Sequence, residues 1–189
     1  AARGERLMGL SVVLSKGRTL FIGDTAVSEF PEPDELAQIV QQSAAMARLF
    51  GVTPRVALIS HSTFGNPRMD RSEKIRAAVT LLDRREDVDF EYEGEMNVDV
   101  ALNANMRELY PFSRLTDAAN VLAMPALHSA SIATSLLATA GDATVIGPVL
   151  TGLSRPIQIA PLGGAVSDIV NFATIAAFQA AQQGAAKNA

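Results

Sequence analysis

The strongest constraint on this chain is the order of its periodic segments, because β-rich runs and amphipathic helical runs alternate along most of its length. The opening reads as a β-hairpin: residues 10–14 and 18–22 are β-rich and are joined by Lys16 and Gly17, a link that allows only an antiparallel pair. After the breakers Pro31 and Pro33, residues 34–50 carry Leu36, Ile39, Val40, Ser43, Ala47 and Phe50 at helical spacing and stop at Gly51, a natural helix terminator. Beyond that the pattern predicts a strand at 55–60, a helix near 71–83, a strand at 89–92, short helices over 97–110, a strand at 120–124 and a helix at 129–138. A strand at 143–146, another around 156–159 and a closing helix from 167 to about 183 complete it. Such alternation implies an α/β three-layer sandwich with a mostly parallel sheet, helices on both faces and the N-terminal β-hairpin on one margin.

The 189 residues suit one domain, or one and a fraction, with a proper core. A net charge of -4 with 48% hydrophobic residues disfavours a disordered tail and a nucleic-acid partner, which leaves a small metabolite or another protein. The lack of cysteine removes disulfides, thiolate nucleophiles and sulfur-ligated metals. Neither histidine, His61 or His128, has a second one nearby in sequence; each reads first as a hydrogen-bonded loop or cap residue and second as a ligand contact. The opening Ala1-Ala2-Arg3-Gly4-Glu5-Arg6 has neither an initiating Met nor an apolar signal core, and no stretch has the ~20 apolar residues of a membrane span. The expectation is a soluble, cytoplasmic piece of a longer protein.

Ligands of open parallel sheets bind beyond the carboxyl ends of the strands, where loops meet helix N-termini. Four segments fall there: 60–67, 93–99, 124–131 and 161–168. In the first, Ser62, Thr63 and Gly65 read either as hydroxyls and N–H groups for an anion or as a turn shaped by Gly65 and Pro67; the spacing is not that of a P-loop, whose Lys is missing. In the second, Glu93, Glu95 and Asp99 read as a base or metal cluster or, more simply, as an ion-pair partner for an arginine such as Arg114 and a helix-start acid. The fourth offers Gly163-Gly164 before a helix, with Ser167 and Asp168 where a cap and a first-turn acid belong.

These segments carry a resemblance. Residues 21–27 (Phe-Ile-Gly-Asp-Thr-Ala-Val), Ser62-Thr63, Glu93-Gly94-Glu95-Met96, Ala119-Asn120-Val121-Leu122 with Pro125, Ile146-Gly147-Pro148, Gly152-Leu153 and Ser167-Asp168-Ile169-Val170-Asn171 follow the order of the second half of the phosphate acetyltransferase and butyryltransferase family. The stretches 62–67, 110–115, 128–132 and 166–171 resemble more specifically the C-terminal region of multidomain NADP-dependent malic enzymes. The resemblance implies a second lobe at 1–151, with 152–189 a closing segment that returns to a neighbouring lobe. Active members carry a Ser-Arg pair that falls here on Pro161 and Leu162, and an arginine that contacts CoA falls on Thr139, which implies that acyl transfer is lost although Asp168 remains. Losing a transition-state arginine costs ~10³ to 10⁵ in rate. The implied role is a non-catalytic regulatory and oligomerisation domain, dimeric or larger, that binds acetyl-CoA or a related acyl-CoA as effector. NADP, a divalent metal and malate oxidation belong to the catalytic part outside this chain, and no cofactor is expected within it. Effector contacts are expected from Ser62, Thr63, Gly65, His128, Ser129, Gly163, Gly164 and Asp168, with Arg68, Arg71 and Arg114 gripping phosphate. The alternatives are a residual phosphate acyltransferase and a purely structural dimerisation domain.

Overall fold

The computed structural model describes residues 5–187; residues 1–4, part of the opening stretch read above, and 188–189 lie outside the described residues. Strands β1 (Met8–Ser15) and β2 (Arg18–Gly23) form the expected antiparallel hairpin, and Lys16 and Gly17 both take positive φ, 49° and 75°, as a tight hairpin turn requires. Helix α1 (Pro33–Leu49) starts on a proline whose fixed φ suits the first turn, and the Glu32 N–H donates to Glu35 Oε2 at 2.9 Å. It ends before Gly51, whose φ of 77° takes the chain out of the helix. There follow β3 (Arg55–Ile59), α2 (Asp70–Asp83), β4 (Glu91–Met96), α3 (Val98–Leu102), α4 (Ala104–Arg107), β5 (Val121–Ala123), α5 (Leu127–Ala140), β6 (Thr144–Thr151) and α6 (Val166–Lys187).

The six strands form one sheet in the order β4-β3-β5-β2-β1-β6. The first four neighbours run parallel, and β1 is antiparallel to both β2 and β6. The hairpin therefore does not lie on a margin: β6 pairs along β1 and becomes the edge, and β2 sits in the middle of the sheet. Alternate side chains go to opposite faces, as a period of two demands. Val56 and Leu58 join Met8, Leu10, Phe21 and Val121 in a core covered by α1, α2 and Phe172 of α6. Ala57 and Ile59 join Val13, Ile22, Leu122 and Met96 in a second core covered by α3 and by Ala130 of α5. The three-layer expectation holds.

Two strand assignments change. The strand expected at 89–92 lies at Glu91–Met96, because Glu93 and Glu95 are buried and paired with arginines instead of facing water. No strand forms around 156–159. Instead the Gln158 carboxamide bonds both the N–H and the carbonyl of Leu150, at 2.9 and 3.0 Å, and leaves Ile157 and Ile159 exposed. Where α1 crosses β2 the layers touch through Gly23, and a Cβ there would run into Ser43 Oγ and come within 3.3 Å of Ile39 Cγ2. Gly23→Ala is expected to destabilise the chain by about 2 kcal/mol, the cost of forcing volume into a packed core, read as a lower urea midpoint with an unchanged slope.

Candidate functional site

Because β3, β5 and β2 are adjacent and parallel, the segments after their carboxyl ends meet at one edge of the sheet. After β2, Asp24 nucleates a turn: its Oδ1 accepts the N–H groups of Gly9, Ala26 and Val27 at 2.8, 3.1 and 3.1 Å, and its Oδ2 accepts the N–H and hydroxyl of Ser28 at 2.8 and 2.7 Å. This fixes the approach to α1. The turn then receives α5, since the Leu127 N–H donates to the carbonyls of Ser28 and Glu29 at 3.2 and 3.3 Å.

The first turns of α1, α2 and α5 thereby enclose a cavity of about 560 Å³ with the ends of β3 and β5, within the usual size range of small-molecule sites. Its apolar wall includes Phe30, Leu36, Met69 and Ile75. Its polar wall is Ser60, His61, Ser72, His128 and Ser129, and its cations are Arg71 and Lys74. Lys74 is engaged by Glu32 at 2.6 Å, whereas Arg71 makes no ion pair among the described residues. His128 packs its ring 5.9 Å from that of Phe30, and Ser129 Oγ donates to the Ala126 carbonyl at 2.7 Å. The N-cap positions of α2 and α5 are Met69 and Ala126, and neither supplies a side-chain acceptor to the first-turn N–H groups. The site is thus an apolar hollow with a cationic rim at two helix ends, a shape that suits an anion carried on a largely apolar body.

Beneath it lies Glu95, fully buried. Its Oε1 accepts from the Gly65 N–H at 2.7 Å, Arg76 Nη1 at 2.8 Å and Ser62 Oγ at 3.0 Å, while Oε2 has no partner among the described residues. Ser62 Oγ lies 2.5 Å from Ser72 Oγ and 3.2 Å from Ser60 Oγ, and Ser60 Oγ lies 3.2 Å from Ser72 Oγ. The buried carboxylate is therefore linked by hydroxyls to the cavity wall.

Of the residues expected from sequence, the fold brings Arg71, His128 and Ser129 together at this cavity. Ser62 and Gly65 do not present free donors, and the Thr63 N–H is taken as well. The Gly65 N–H serves Glu95, the Thr63 N–H donates to the Asn66 carbonyl at 2.9 Å, and Thr63 Oγ1 accepts the Asn97 N–H at 3.0 Å. The loop also lies before α2 rather than at its first turn, so the turn reading of Gly65 fits and the anion-cradle geometry does not. Arg68 is exposed, 3.7 Å from Glu73. Arg114 reaches Asp83 at 2.6 Å and buried Glu93 at 3.2 Å and lies 4.7 Å over the Tyr92 ring, which makes it the ion-pair partner the sequence suggested for Glu93. Gly163, Gly164 and Asp168 lie elsewhere: Asp168 Oδ2 accepts the Ala165 N–H at 2.8 Å as a first-turn acid, and it lines a separate cavity of about 100 Å³ beside Gly147 and Phe172 that shares no residue with the first. Asp99 accepts its neighbour's N–H, from Val100, at 2.9 Å, so the three acids of 93–99 do not converge. Sequence reasoning missed Ser72, Lys74 and Phe30, which carry no motif and enter the site only because α1 and α2 point their first turns at it.

Burial opposes the charge on Arg114, but hydrogen bonds to Glu93 and Asp83 outweigh it and push the guanidinium pKa up. Burial and then the hydrogen bond donated to Asp83, at 2.7 Å, push Tyr92 up to about 12. The folded value lies above the ordinary ~10, so this contribution to stability is whole below pH ~10 and is lost as pH rises toward 12. Arg114→Ala is expected to cost about 2–3 kcal/mol of stability by stranding buried Glu93, measured by urea unfolding. In Asp83→Asn, ultraviolet titration should show Tyr92 ionising at lower pH, part of the way back to ~10, because burial remains.

A family model described as phosphate acetyl/butaryl transferase matches residues 1–177. The chain is 53% identical over 177 residues to an NADP-dependent malic enzyme of Rhizobium meliloti, covering 94% of this chain and 23% of that protein. It is 37% identical over 175 residues to an NADP-dependent malic enzyme of Escherichia coli, covering 92% and 23%. A phosphate acetyltransferase of Helicobacter pylori is 34% identical over 159 residues, covering 84% of this chain and 30% of that protein. The chain thus spans about a quarter of the malic enzymes it matches. Among solved structures, the EutD phosphotransacetylase from Staphylococcus aureus superposes with a TM-score of 0.88 at 30% identity, covering 94% of this chain and 55% of that one. With the sheet order, the helical layers and the sequence match all in agreement, the chain is a member of the phosphate acetyl/butaryl transferase family.

Proposed function

We propose that the chain is a non-catalytic regulatory and assembly domain of an NADP-dependent malic enzyme, whose separate catalytic part oxidises malate to pyruvate, and that it binds acetyl-CoA or a related acyl-CoA as effector. One observation carries this reading: a formed cavity whose Arg71 makes no ion pair among the described residues coexists with an acyl-transfer position occupied by Pro161 and Leu162. Pro161 and Leu162 stand where active relatives are expected to hold Ser and Arg, and Leu162 is fully exposed. Asp168, the surviving acid, is spent on capping its own helix.

In this reading Arg71 takes a phosphate bidentately, His128 and Ser129 contribute from the first turn of α5, and the apolar wall takes the arm of the ligand. An effector regulates only through unequal affinity for two states of the whole enzyme. Residues 152–189 form a closing segment for a neighbouring lobe: Ile157, Ile159, Leu162, Val166, Ile169 and Val170 are exposed here, and the matched structure from Staphylococcus aureus is nearly twice as long as the part this chain covers. Exposed Ile132 and Leu136 on α5 support a self-association surface, and a two-fold dimer is the commonest closed assembly.

Calorimetric titration of the complete polypeptide with acetyl-CoA is expected to show binding that Arg71→Ala weakens by about 1.5–3 kcal/mol, the worth of a hydrogen bond to a charged group, while Arg68→Ala leaves it unchanged. No binding, or an unchanged Arg71→Ala, overturns the proposed site. A thiol-consumption assay with acetyl phosphate and CoA should show turnover well below ~1 s⁻¹; a rate at or above that restores the acyltransferase alternative. Sedimentation at micromolar concentration should show a dimer or larger assembly, and a monomer counts against the assembly role.

A further inference from the structure

We propose that the Ser60 and Ser72 hydroxyls of this cavity accept hydrogen bonds from a ligand and do not donate them, so that they select a ligand arm bearing amide N–H or hydroxyl groups and act as specificity-determining residues. This rests on reading the cavity as a ligand site and adds which ligand groups its serines meet.

Each serine hydroxyl has a single proton to give. Glu95 Oε1 is fixed as an acceptor by the Gly65 N–H at 2.7 Å and Arg76 Nη1 at 2.8 Å, so Ser62, 3.0 Å away, must spend its single proton on it. Ser72, 2.5 Å from Ser62, then has no proton to receive and donates its own to Ser62 Oγ. Ser60 accepts the Ser62 N–H at 3.3 Å, and its proton goes inward to Ser62 or Ser72, each 3.2 Å away. The hydroxyls of Ser60 and Ser72, two residues that line the cavity, have thus committed their protons to the interior and leave only lone pairs for a ligand. A carboxylate or phosphate brought to this wall would meet oxygen against oxygen. An amide N–H meets an acceptor already polarised by a buried anion, and hydrogen bonds in such chains strengthen one another. The anionic part of the ligand is left to the cation Arg71, next to Ser72 in the first turn of α2. An acyl-CoA satisfies both the serine acceptors and the cation, since its pantetheine arm carries two amides and a hydroxyl and its nucleotide end carries the phosphates.

Three probes test this on the complete polypeptide: pantetheine, its analogue with both amide N–H groups replaced by ester oxygen, and acetyl-CoA. Wild type is expected to bind pantetheine about five- to tenfold more tightly than the ester analogue, the worth of one ordinary hydrogen bond. Ser72→Ala should remove that preference, and Ser72→Thr, which restores the hydroxyl, should recover it. If Ser72→Ala does not fold, Ser60→Ala gives the same comparison. Equal binding of amide and ester by wild type, an unaltered preference in the alanine variant, or no binding of pantetheine overturns the proposal. Acetyl-CoA binding with no amide preference sinks this inference and leaves the acyl-CoA reading standing. An amide preference without acetyl-CoA binding does the reverse.

Discussion

The Asp24 carboxylate is the interaction on which the rest of the structure hangs. Five donors converge on it, four backbone N–H groups and one hydroxyl, drawn from β1 and from the turn that follows β2. A buried anion surrounded by backbone N–H groups stays in place because those groups are charge-assisted donors that would otherwise be orphaned. The turn it organises sets where α1 begins, and its carbonyls receive the first N–H of α5. Arg6 adds a clasp, reaching Ser28 Oγ at 3.2 Å and Glu35 at 2.5 Å. One carboxylate thus aligns two of the three helices that enclose the cavity, and the cavity exists because that alignment leaves a hollow between their first turns.

Two buried carboxylates on β4 do different work. Glu93 is matched by Arg114 and closes a surface network with Asp83 and Tyr92, so its charge is contained. Glu95 faces the other way along the strand, and its influence reaches toward the cavity through serine hydroxyls. The alternation of a strand, which places residues 93 and 95 on the same face in regular geometry, is broken here by the register shift between β3 and β4 at Leu58 and Ile59. That irregularity lets neighbouring acids take separate partners.

Much of the fold was legible because its signals are local. The hairpin needed only Lys16-Gly17 between two β-rich runs, and α1 needed only its apolar spacing and flanking Pro33 and Gly51. The errors have a common source in long-range pairing. β4 was truncated because Glu93-Gly94-Glu95 looks solvent-facing until Arg114 and Arg76 arrive from residues distant in sequence. The false strand at 156–159 has the right apolar residues, yet Gln158 satisfies the Leu150 backbone with a side chain, so no ladder is needed. At the cavity, the rule that ligands sit beyond strand ends points to the segment with His128 and Ser129, and Arg71 is expected as a cation beside a loop; all three line it. The rule does not foresee that Ser62 and Gly65 are engaged elsewhere, because no local pattern reveals that their donors are already taken by Glu95.

The position of β1 between β2 and β6 carries a consequence for how the chain is made. Within this domain β1 is made before every other strand, and one of its two edges is closed at once by β2, a few residues away. The other edge pairs Met8 with Thr151 and Leu14 with Thr144, across nearly the whole intervening sequence. Until those late residues emerge, a strand whose residues 8–13 are all buried in the finished fold offers a bare row of backbone donors and acceptors to any neighbouring chain. Loop closure over so long a span is slow, and exposed strand edges are where nascent chains aggregate. Production of this domain is therefore a kinetic contest between the late arrival of β6 and intermolecular strand pairing, one that slower elongation or a bound chaperone would prolong or protect at this edge.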